Sequence, residues 1–319
     1  DDLSCVPTAR SLSPLSFQER GAFPAGPGTT PPPPAPSFTG WQRGHLIGSG
    51  GFGCVYLGML PDGGLIAAKE IPIVAKGTSD QQKHLDNLQR EVTVMQSLRH
   101  ENIVRYLGTE RREEFMYIFL EYVGGGSIRD LLDRFANGFT LPVIRSYTRQ
   151  LVVAVEYLHS SGIVHRDIKG ANMLVDTQGC IRLADFGCAK HLAACSKNSS
   201  VGTPFWMAPE VIRGAGGGPS VDIWSIGATL HEMVDRQPPF SNLAPHPAMF
   251  AIASLTGPPE LPPRLLHEDE GEGDPLLRRL AALFLGRCYM LDPSLRPTAA
   301  ELLGDSFLRL PRLSESTTP

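Results

Sequence analysis

The chain has 319 residues, of which 42% are hydrophobic and 19% charged, and its net charge is −4. This near balance of charge gives no general attraction to nucleic acid or to an anionic membrane. No apolar run reaches the roughly 18 residues of a bilayer-crossing helix, so no membrane span is predicted. The length is enough for two domains or for one large bilobed domain.

The cysteines also bear on the class of protein. There are six, without a CxxC pair: Cys5, Cys54, Cys180, Cys188, Cys195 and Cys288. We expect free thiols in a reducing, cytoplasmic compartment, and zinc binding has no supporting ligand spacing. The first residues, DDLSCVPTAR, contain neither Met nor an apolar signal core, which predicts a fragment of a longer protein.

Residues 1–40 differ in composition from the rest of the chain. The stretch GAFPAGPGTTPPPPAPSFTG is rich in Pro, Gly and Thr and has no apolar period. Such a segment cannot bury enough surface to offset its ordering entropy, so we predict a disordered tail. Pro31–Pro34 is predicted to form polyproline II, which an SH3 or WW domain can bind; a plain linker is the alternative.

Ordered structure is expected to begin at Trp41. Short apolar runs flank a glycine cluster in WQRGHLIGSGGFGCVYLGML and continue in PDGGLIAAKEI. This pattern predicts an antiparallel hairpin and a third strand that ends near Ile71. Between Ser79 and Leu98 the apolar period becomes that of a helix, and FMYIFLEYV then predicts a buried strand.

Helical patterns dominate from about Ser127 onward. Examples are VIRSYTRQLVVAVEYLHSSG and VDIWSIGATLHEMV. The predicted fold is therefore α+β, with a small antiparallel β-rich lobe that carries one helix and a larger helical lobe. The intervening EYVGGGS is expected to be a flexible joint, and a ligand is expected in the cleft between the lobes.

A glycine motif lies in the predicted hairpin. Its pattern is GxGxxGxV, formed by Gly48, Ser49, Gly50, Gly51, Phe52, Gly53, Cys54 and Val55. Glycines let the backbone approach phosphate oxygens closely, and free amides can donate to them. Dinucleotide-binding folds share this spacing but continue into a helix. Here VYL continues as a strand, which favours a glycine-rich hairpin lid.

Lys69 ends the apolar strand LIAAK, where a charge needs a partner. Glu91, on the following predicted helix, can supply the opposite charge and hold Lys69 toward the α- and β-phosphates of a nucleotide. Two ordinary exposed charges are the alternative. Further on, Asp185 follows the strand CIRLA, and with Asn172 it offers the hard oxygen ligands that Mg²⁺ prefers.

Together the glycine lid, strand Lys, helix Glu, HRDIKGAN, DFG and APE resemble the signature set of the eukaryotic protein kinases. The resemblance extends from about Trp41 to Leu310 and implies a bilobal kinase fold that uses ATP and Mg²⁺. The implied organisation is a kinase domain over 41–310, with an N-lobe over 41–120, a hinge over 121–126 and a C-lobe over 127–310, and a tail over 311–319.

The resemblance also implies catalytic roles. Asp167 orients the substrate hydroxyl and accepts its proton, and Lys169 stabilises charge on the transferred phosphoryl group. Asn172 and Asp185 hold Mg²⁺. Transfer is then mainly positioning plus electrostatic stabilisation.

Nucleotide contacts are implied as well. Val55 and Ala67 would lie above the adenine and Leu174 below it, although ordinary core packing is the alternative for these three residues. Glu121 and Val123 would offer backbone hydrogen bonds at the hinge.

Five residues are implied to support the loop and the scaffold. His165 packs near the DFG Phe, and Arg166 anchors a phosphorylated activation loop. Asp222 accepts from catalytic-loop amides, and Glu210 pairs with Arg296.

The activation-loop region between DFG and APE carries three candidate phosphosites, Ser196, Ser199 and Ser200. A phosphate there would pair with Arg166 and Lys190 and order the loop. A flexible polar loop is the alternative.

HRDIKGAN, with its Lys169, and GTPFWMAPEVI resemble Ser/Thr kinases. With IFLEYVGGGSI and ADFGCAK they are most similar to the MAP kinase kinase kinases, which implies MAP kinase kinases as protein substrates. Ala171 stands where kinases that prefer basic substrates carry Glu, so a strong Arg preference is not expected. Ste20-like kinases are one alternative. A pseudokinase scaffold is another, although the Lys, both Asp and the Asn of the motifs are all present.

Overall fold

A five-stranded antiparallel sheet, in the order β1-β2-β3-β5-β4, begins the fold. The computed structural model describes residues 38–50, 53–73, 92–112, 114–186, 190–191, 204–266 and 274–309. The strands are β1 (Gln42–Gly50), β2 (Gly53–Met59), β3 (Leu65–Pro72), β4 (Tyr106–Arg112) and β5 (Phe115–Glu121). Residues 92–97, between β3 and β4, are helical, and we call them α1.

The strand register explains how the sheet forms one wall of a cleft. Val55 of β2 pairs with Lys69 of β3, and Lys69 pairs in turn with Ile118 of β5. Because side chains alternate between the faces of a strand, Val55 and Lys69 point to the same side of the sheet. The predicted hairpin, third strand and buried strand are thus present, whereas the sequence analysis did not predict β4.

The larger part of the chain is mainly helical. Its helices are α2 (Ile128–Arg134), α3 (Leu141–Ser160), α4 (Pro209–Ile212), α5 (Ser220–Asp235), α6 (Pro245–Ala253), α7 (Pro263–Leu266), α8 (Pro275–Cys288), α9 (Ala299–Leu303) and α10 (Ser306–Arg309). Four short strands form two pairs, β6 (Ile163–Val164) with β9 (Lys190–His191) and β7 (Met173–Val175) with β8 (Ile181–Leu183). The predicted α+β, bilobed architecture is confirmed. No helix within the described ranges combines the length and the apolar composition that a bilayer crossing requires.

Helix α5 is the centre of the helical lobe. Every residue from Val221 to Val234 is buried, so this helix is enclosed on all sides. The buried stretch includes two carboxylates, Asp222 and Glu232, which need hydrogen-bond partners inside the protein. Both find them in the loop that follows β6, and α5 therefore connects the core to the functional site.

The segment between β5 and α2 is held where its glycine run meets α2. Ser127 caps α2 in a reciprocal capping box with Asp130. The Val175 amide donates to the Gly126 carbonyl at 2.8 Å, and Ser127 forms a β-bridge with Leu174. These contacts make the connection more constrained than the predicted flexible joint.

Candidate active site

A cavity of about 910 Å³ lies between the sheet and the helical lobe. It collects thirteen of the residues that the sequence singled out: Gly48, Ser49, Gly53, Val55, Ala67, Lys69, Glu121, Val123, Asp167, Lys169, Asn172, Leu174 and Asp185. Gly50 ends β1 in register with Gly53. Glu91, Gly51, Phe52, Ser196, Ser199 and Ser200 lie outside the described residues.

The lid over the cavity requires glycine at one position above all. Gly53 has φ = +126°, and a Cβ atom there would lie 2.3 Å from the Glu70 carbonyl oxygen. A side chain at this position would therefore push β2 away from β3. Because Gly53 has no side chain, β2 can lie close to β3, and the hairpin covers the cavity with Val55 on its inner face.

Three polar side chains converge in the loop after β6. The Lys169 ammonium donates to Asp167 Oδ2 at 2.9 Å. The Asn172 amide nitrogen donates to the same oxygen at 2.9 Å and to the Asp167 backbone carbonyl at 2.7 Å. Both side-chain amide hydrogens of Asn172 thus bond to Asp167. The side-chain oxygen of Asn172, Oδ1, is the atom that remains to meet a cation.

Asp185 approaches this loop from the end of β8. Its backbone has φ = +61°, a left-handed conformation that is uncommon for a side-chain-bearing residue and that recurs at functional sites. The Ala184 amide donates to the Asn172 backbone carbonyl at 2.8 Å and holds the segment that carries Asp185 against the loop after β6. Asp185 Oδ1 lies 3.3 Å from the buried Lys69 ammonium, so an acidic and a basic group from the two lobes meet in the cavity.

The cavity offers oxygen donors suited to Mg²⁺. The Asp185 side chain is 36% exposed, and Asn172, whose side chain carries the second oxygen, lines the same cavity. Mg²⁺ is commonly held by one or two protein oxygens, with phosphates and waters completing its shell. No group of three or more His, Cys, Asp or Glu side chains that would hold a metal occurs in the described part of the chain. The two oxygens of Asp185 and Asn172 suit a cation that phosphates and waters also coordinate.

Asp222 fixes the backbone at the start of the loop that follows β6. Its carboxylate accepts from the His165 and Arg166 amides at 2.9 and 2.8 Å and contacts His159 Nε2 at 2.8 Å. Burial alone would raise the pKa of Asp222, but His159 and the Arg166 amide hold this pKa below its usual value. The amide contacts predicted for Asp222 are confirmed, and they stabilise Arg166 in a left-handed backbone conformation, with φ = +70°.

Other predicted scaffold contacts are present. The His165 ring packs edge to face on Phe186 with centroids 5.0 Å apart. Glu210 accepts two hydrogen bonds from the Arg296 guanidinium at 2.5 and 2.8 Å. The Arg166 guanidinium donates to the Gly217 carbonyl at 2.9 Å. Its predicted role toward a phosphorylated loop stays a prediction.

Glu232 is a site residue that the sequence analysis missed. This buried carboxylate accepts from the Gly170 amide at 2.9 Å and from the Trp206 indole nitrogen at 3.0 Å. A Cβ atom at Gly170 would lie 2.8 Å from the same carboxylate, so glycine is required for this contact. Burial raises the pKa of Glu232, although its donors act in the opposite direction. The available signal was an acidic residue in the largely apolar helix α5, which also carries Asp222.

Several residues that line the cavity were also not predicted. They are Ile47, Met95, Val104, Asp130, Arg134 and Ala184. Apart from Asp130 and Arg134 they are apolar, and in the sequence they resemble any core residue. They can be recognised as cavity-lining residues only in the folded structure, where they border the cleft between the lobes.

Comparison with known proteins gives consistent matches. The protein kinase domain family matches residues 41–308. Mitogen-activated protein kinase kinase kinase A of Dictyostelium discoideum is 43% identical over 87% of this chain and 29% of its own length. Mitogen-activated protein kinase kinase kinase ANP1 of Arabidopsis thaliana is 44% identical over 88% of this chain and 42% of its own length. Mitogen-activated protein kinase kinase kinase 19 of Homo sapiens is 40% identical over 84% of this chain and 20% of its own length. The chain thus spans less than half the length of each of these relatives.

Proposed function

Because the chain belongs to the protein kinase family, we propose that it transfers the γ-phosphoryl group of ATP to Ser or Thr hydroxyls of a protein substrate. We further propose that it acts as a MAP kinase kinase kinase, with MAP kinase kinases as substrates, because its relatives at 40–45% identity carry that name. The observation that carries the catalytic proposal is the convergence of Lys69, Asp167, Lys169, Asn172 and Asp185 in one cavity.

The cavity fits ATP and Mg²⁺. Its volume of about 910 Å³ is sufficient for a nucleotide, and apolar Val55, Ala67 and Leu174 line the part assigned to the adenine. Lys69 is placed to meet phosphates, while Asn172 and Asp185 supply oxygen ligands. When bound, ATP supplies the phosphoryl group and Mg²⁺ neutralises the charge of the phosphates.

The residues of the catalytic loop then position and polarise the acceptor. Asp167 Oδ2 is occupied by Lys169 and Asn172, whereas no described residue donates to Oδ1. Oδ1 is therefore the atom that orients the acceptor hydroxyl and takes its proton. The Lys169 ammonium, fixed at 2.9 Å from the same carboxylate, stabilises negative charge that develops beside it.

The test is a phosphoryl-transfer assay with the full chain, Mg²⁺, γ-labelled ATP and a catalytically dead MAP kinase kinase, with Asp167→Asn as the control. Label on Ser or Thr of the substrate, with the intact chain alone, is the expected result. Label on an unrelated Ser/Thr substrate but none on the MAP kinase kinase would retain the kinase and overturn the substrate class. Nucleotide binding without transfer to either substrate would favour a pseudokinase scaffold.

Phosphorylation of the activation-loop region is part of this proposal. Ser196, Ser199 and Ser200 lie beyond the described residues, and Arg166, in the catalytic loop, is the proposed anchor for a phosphate. Replacing Ser199 and Ser200 together by Ala should lower activity and abolish its sensitivity to phosphatase. Unchanged activity and sensitivity in the double variant would remove this regulation from the proposal.

A partner for the Pro-rich tail is also proposed. Pro31–Pro34 is a four-proline run of the type that SH3 and WW domains bind. Titration of isolated SH3 and WW domains onto the chain, with and without residues 1–40, tests it. Equal binding to both forms, or binding to neither, would leave the tail as a linker.

A further inference from the structure

The outer face of the sheet, opposite the cavity, carries a second hydrophobic cluster. Its buried members are Trp41, Ile66, Ala68, Tyr117 and Phe119, which we call the outer cluster. Phe38, in the turn before β1, packs against it, and its ring stacks on Phe119 with centroids 4.3 Å apart and planes inclined by 19°. The segment that enters the domain is therefore attached to β5 by an aromatic pair.

The place that Phe38 occupies is shaped by a missing side chain. A Cβ atom on Gly108 of β4 would lie 2.3 Å from the Phe38 ring. Gly58 of β2 similarly makes room for Trp41, whose ring would lie 3.1 Å from an added Cβ. Two glycines on different strands thus leave the space that two aromatic rings occupy.

Trp41 locks the same segment in place. Its amide donates to the Phe38 carbonyl at 3.2 Å, and its indole nitrogen donates to Glu110 at 2.9 Å. Its ring meets Tyr117 and Phe119 edge to face, each at 5.3 Å. The turn that presents Phe38 is consequently fixed to both β4 and β5.

The backbone beneath Phe38 is the backbone that lines the cavity. Phe119 faces outward, while its neighbour Leu120 points to the opposite face and lines the cavity, and Glu121 lines the cavity at the end of β5. In β3, Ala68 belongs to the outer cluster, while Ala67 and Lys69 line the cavity. Movement of β5 or β3 away from the outer cluster would therefore displace residues proposed to contact the nucleotide.

The sheet is irregular at this very point. Tyr106 pairs with Leu120 and Gly108 pairs with Phe119, so the register between β4 and β5 shifts by one residue at Leu107. Such a bulge removes regular pairing and bends the strand locally. Phe38 covers the Gly108–Phe119 pair directly beside the bulge.

We propose that Phe38 is a positioning residue for the nucleotide: through Phe119 it holds β5, and with it the hinge wall of the cavity, in the conformation that binds ATP. This inference rests on the proposed ATP-dependent function, since it concerns the affinity of the same cavity. Phe38 does not touch the cavity itself, and its effect is transmitted through the sheet.

The test compares variants of the full chain by direct binding of a fluorescent ATP analogue with Mg²⁺, and by steady-state kinetics. Phe38→Ala removes the ring, Phe38→Tyr keeps it, and Gly108→Ala displaces it from the opposite side. Thr39→Ala, at an exposed neighbour, is the matched control. Phe307→Leu, in the buried core of the helical lobe, controls for lost stability.

Phe38→Ala and Gly108→Ala should each weaken analogue binding and raise KM for ATP by about two- to tenfold, the range that the loss of an aromatic pair implies. The kcat and the KM for the protein substrate should change little. Phe38→Tyr, Thr39→Ala and Phe307→Leu should bind the analogue as the unaltered chain does.

Unchanged analogue affinity in Phe38→Ala and Gly108→Ala would overturn the proposal, even if their melting temperatures fall, because a purely structural role predicts that result. An equal loss of affinity in Phe307→Leu would also overturn it. The kinase proposal fails separately: an unaltered chain that binds the analogue without transferring phosphate would contradict the proposed function and leave the Phe38 comparison intact.

Discussion

Single charged residues inside the helical lobe are each compensated by specific donors. Asp222 and Glu232 lie on α5, where burial of a carboxylate would be costly without hydrogen bonds. Asp222 accepts a hydrogen bond from the Arg166 amide in the loop after β6. Glu232 accepts hydrogen bonds from the Gly170 amide and the Trp206 indole nitrogen. The same contacts that satisfy these charges fix the loop that carries the proposed catalytic residues Asp167 and Lys169.

The Glu210–Arg296 pair provides a test of this argument. Both side chains are almost fully buried, so Glu210→Gln leaves the guanidinium without its counter-charge. We expect a loss of about 3–5 kcal/mol in the free energy of unfolding, measured by urea denaturation. Arg287→Gln breaks the pair with Asp305, in which the Arg287 side chain is 43% exposed, and should cost less than about 1 kcal/mol. Similar losses in the two variants would contradict the role of burial.

His231 predicts an acid-dependent loss of stability. Burial lowers its pKa from 6.5 to about 4, and no described residue bonds to its Nδ1 atom. Between these pH values the unfolded state binds the proton and the folded state does not, so stability falls as the pH falls. From pH 7.5 to pH 5 this residue should account for about 2 kcal/mol of lost unfolding free energy.

The measurement is urea denaturation of the unaltered chain and of His231→Leu at both pH values. The variant should lose less stability on acidification, by about that amount. Contributions from the rest of the chain are common to the two proteins and cancel in the comparison. Parallel pH dependence in the two proteins would show that His231 is not responsible.

At the scale of elements, the strands show what patterning predicts and what it misses. β2, β3 and β5 have apolar alternation or buried runs, and the sequence predicted each of them. β4, YLGTERR, is an edge strand with one buried residue and several charges, so its pattern resembles that of a surface loop. It forms because β5 offers a free edge, which is a tertiary circumstance.

The β1–β2 hairpin gives a second prediction at this scale. Gly53→Ala places a Cβ atom 2.3 Å from the Glu70 carbonyl and should lift the lid from the cavity. We expect affinity for an ATP analogue to fall on the order of tenfold, which corresponds to a free-energy change of about 1.4 kcal/mol. Gly63→Ala, at a positive φ with open space around it, should leave the affinity unchanged. Equal effects would indicate backbone strain alone rather than the collision with β3.

At the scale of the whole molecule, the two lobes complete the site only together. Lys69 of the sheet and Asp185 of the helical lobe are 116 residues apart, and their side chains lie 3.3 Å from each other. A ligand that contacts both binds the folded chain alone and therefore stabilises it.

Ligand binding across the two lobes should produce a metal-dependent thermal shift. Mg²⁺ with ATP should raise the melting temperature of the unaltered chain, by the equivalent of about 2.7 kcal/mol at 100 times the dissociation constant. Removal of Mg²⁺ with EDTA should reduce the shift, because the Asp185 carboxylate then faces phosphates without a cation between them. Asp185→Asn should show little difference between the two conditions. An unaltered chain with the same shift in EDTA would contradict the assignment of Asn172 and Asp185 as magnesium ligands.

The sequence by itself determined the motifs and their order, and therefore the chemistry proposed for this protein. Glycine spacing, a lone Lys on an apolar strand and the acidic residues of HRD and DFG are local patterns, and each is legible without a fold. Only the tertiary structure decided which atoms meet: both amide hydrogens of Asn172 bond to Asp167, Glu232 accepts from Gly170 and Trp206, and the Phe38 ring stacks on Phe119. Such contacts join residues that are distant along the chain, and they depend on packing directions that local patterns do not encode.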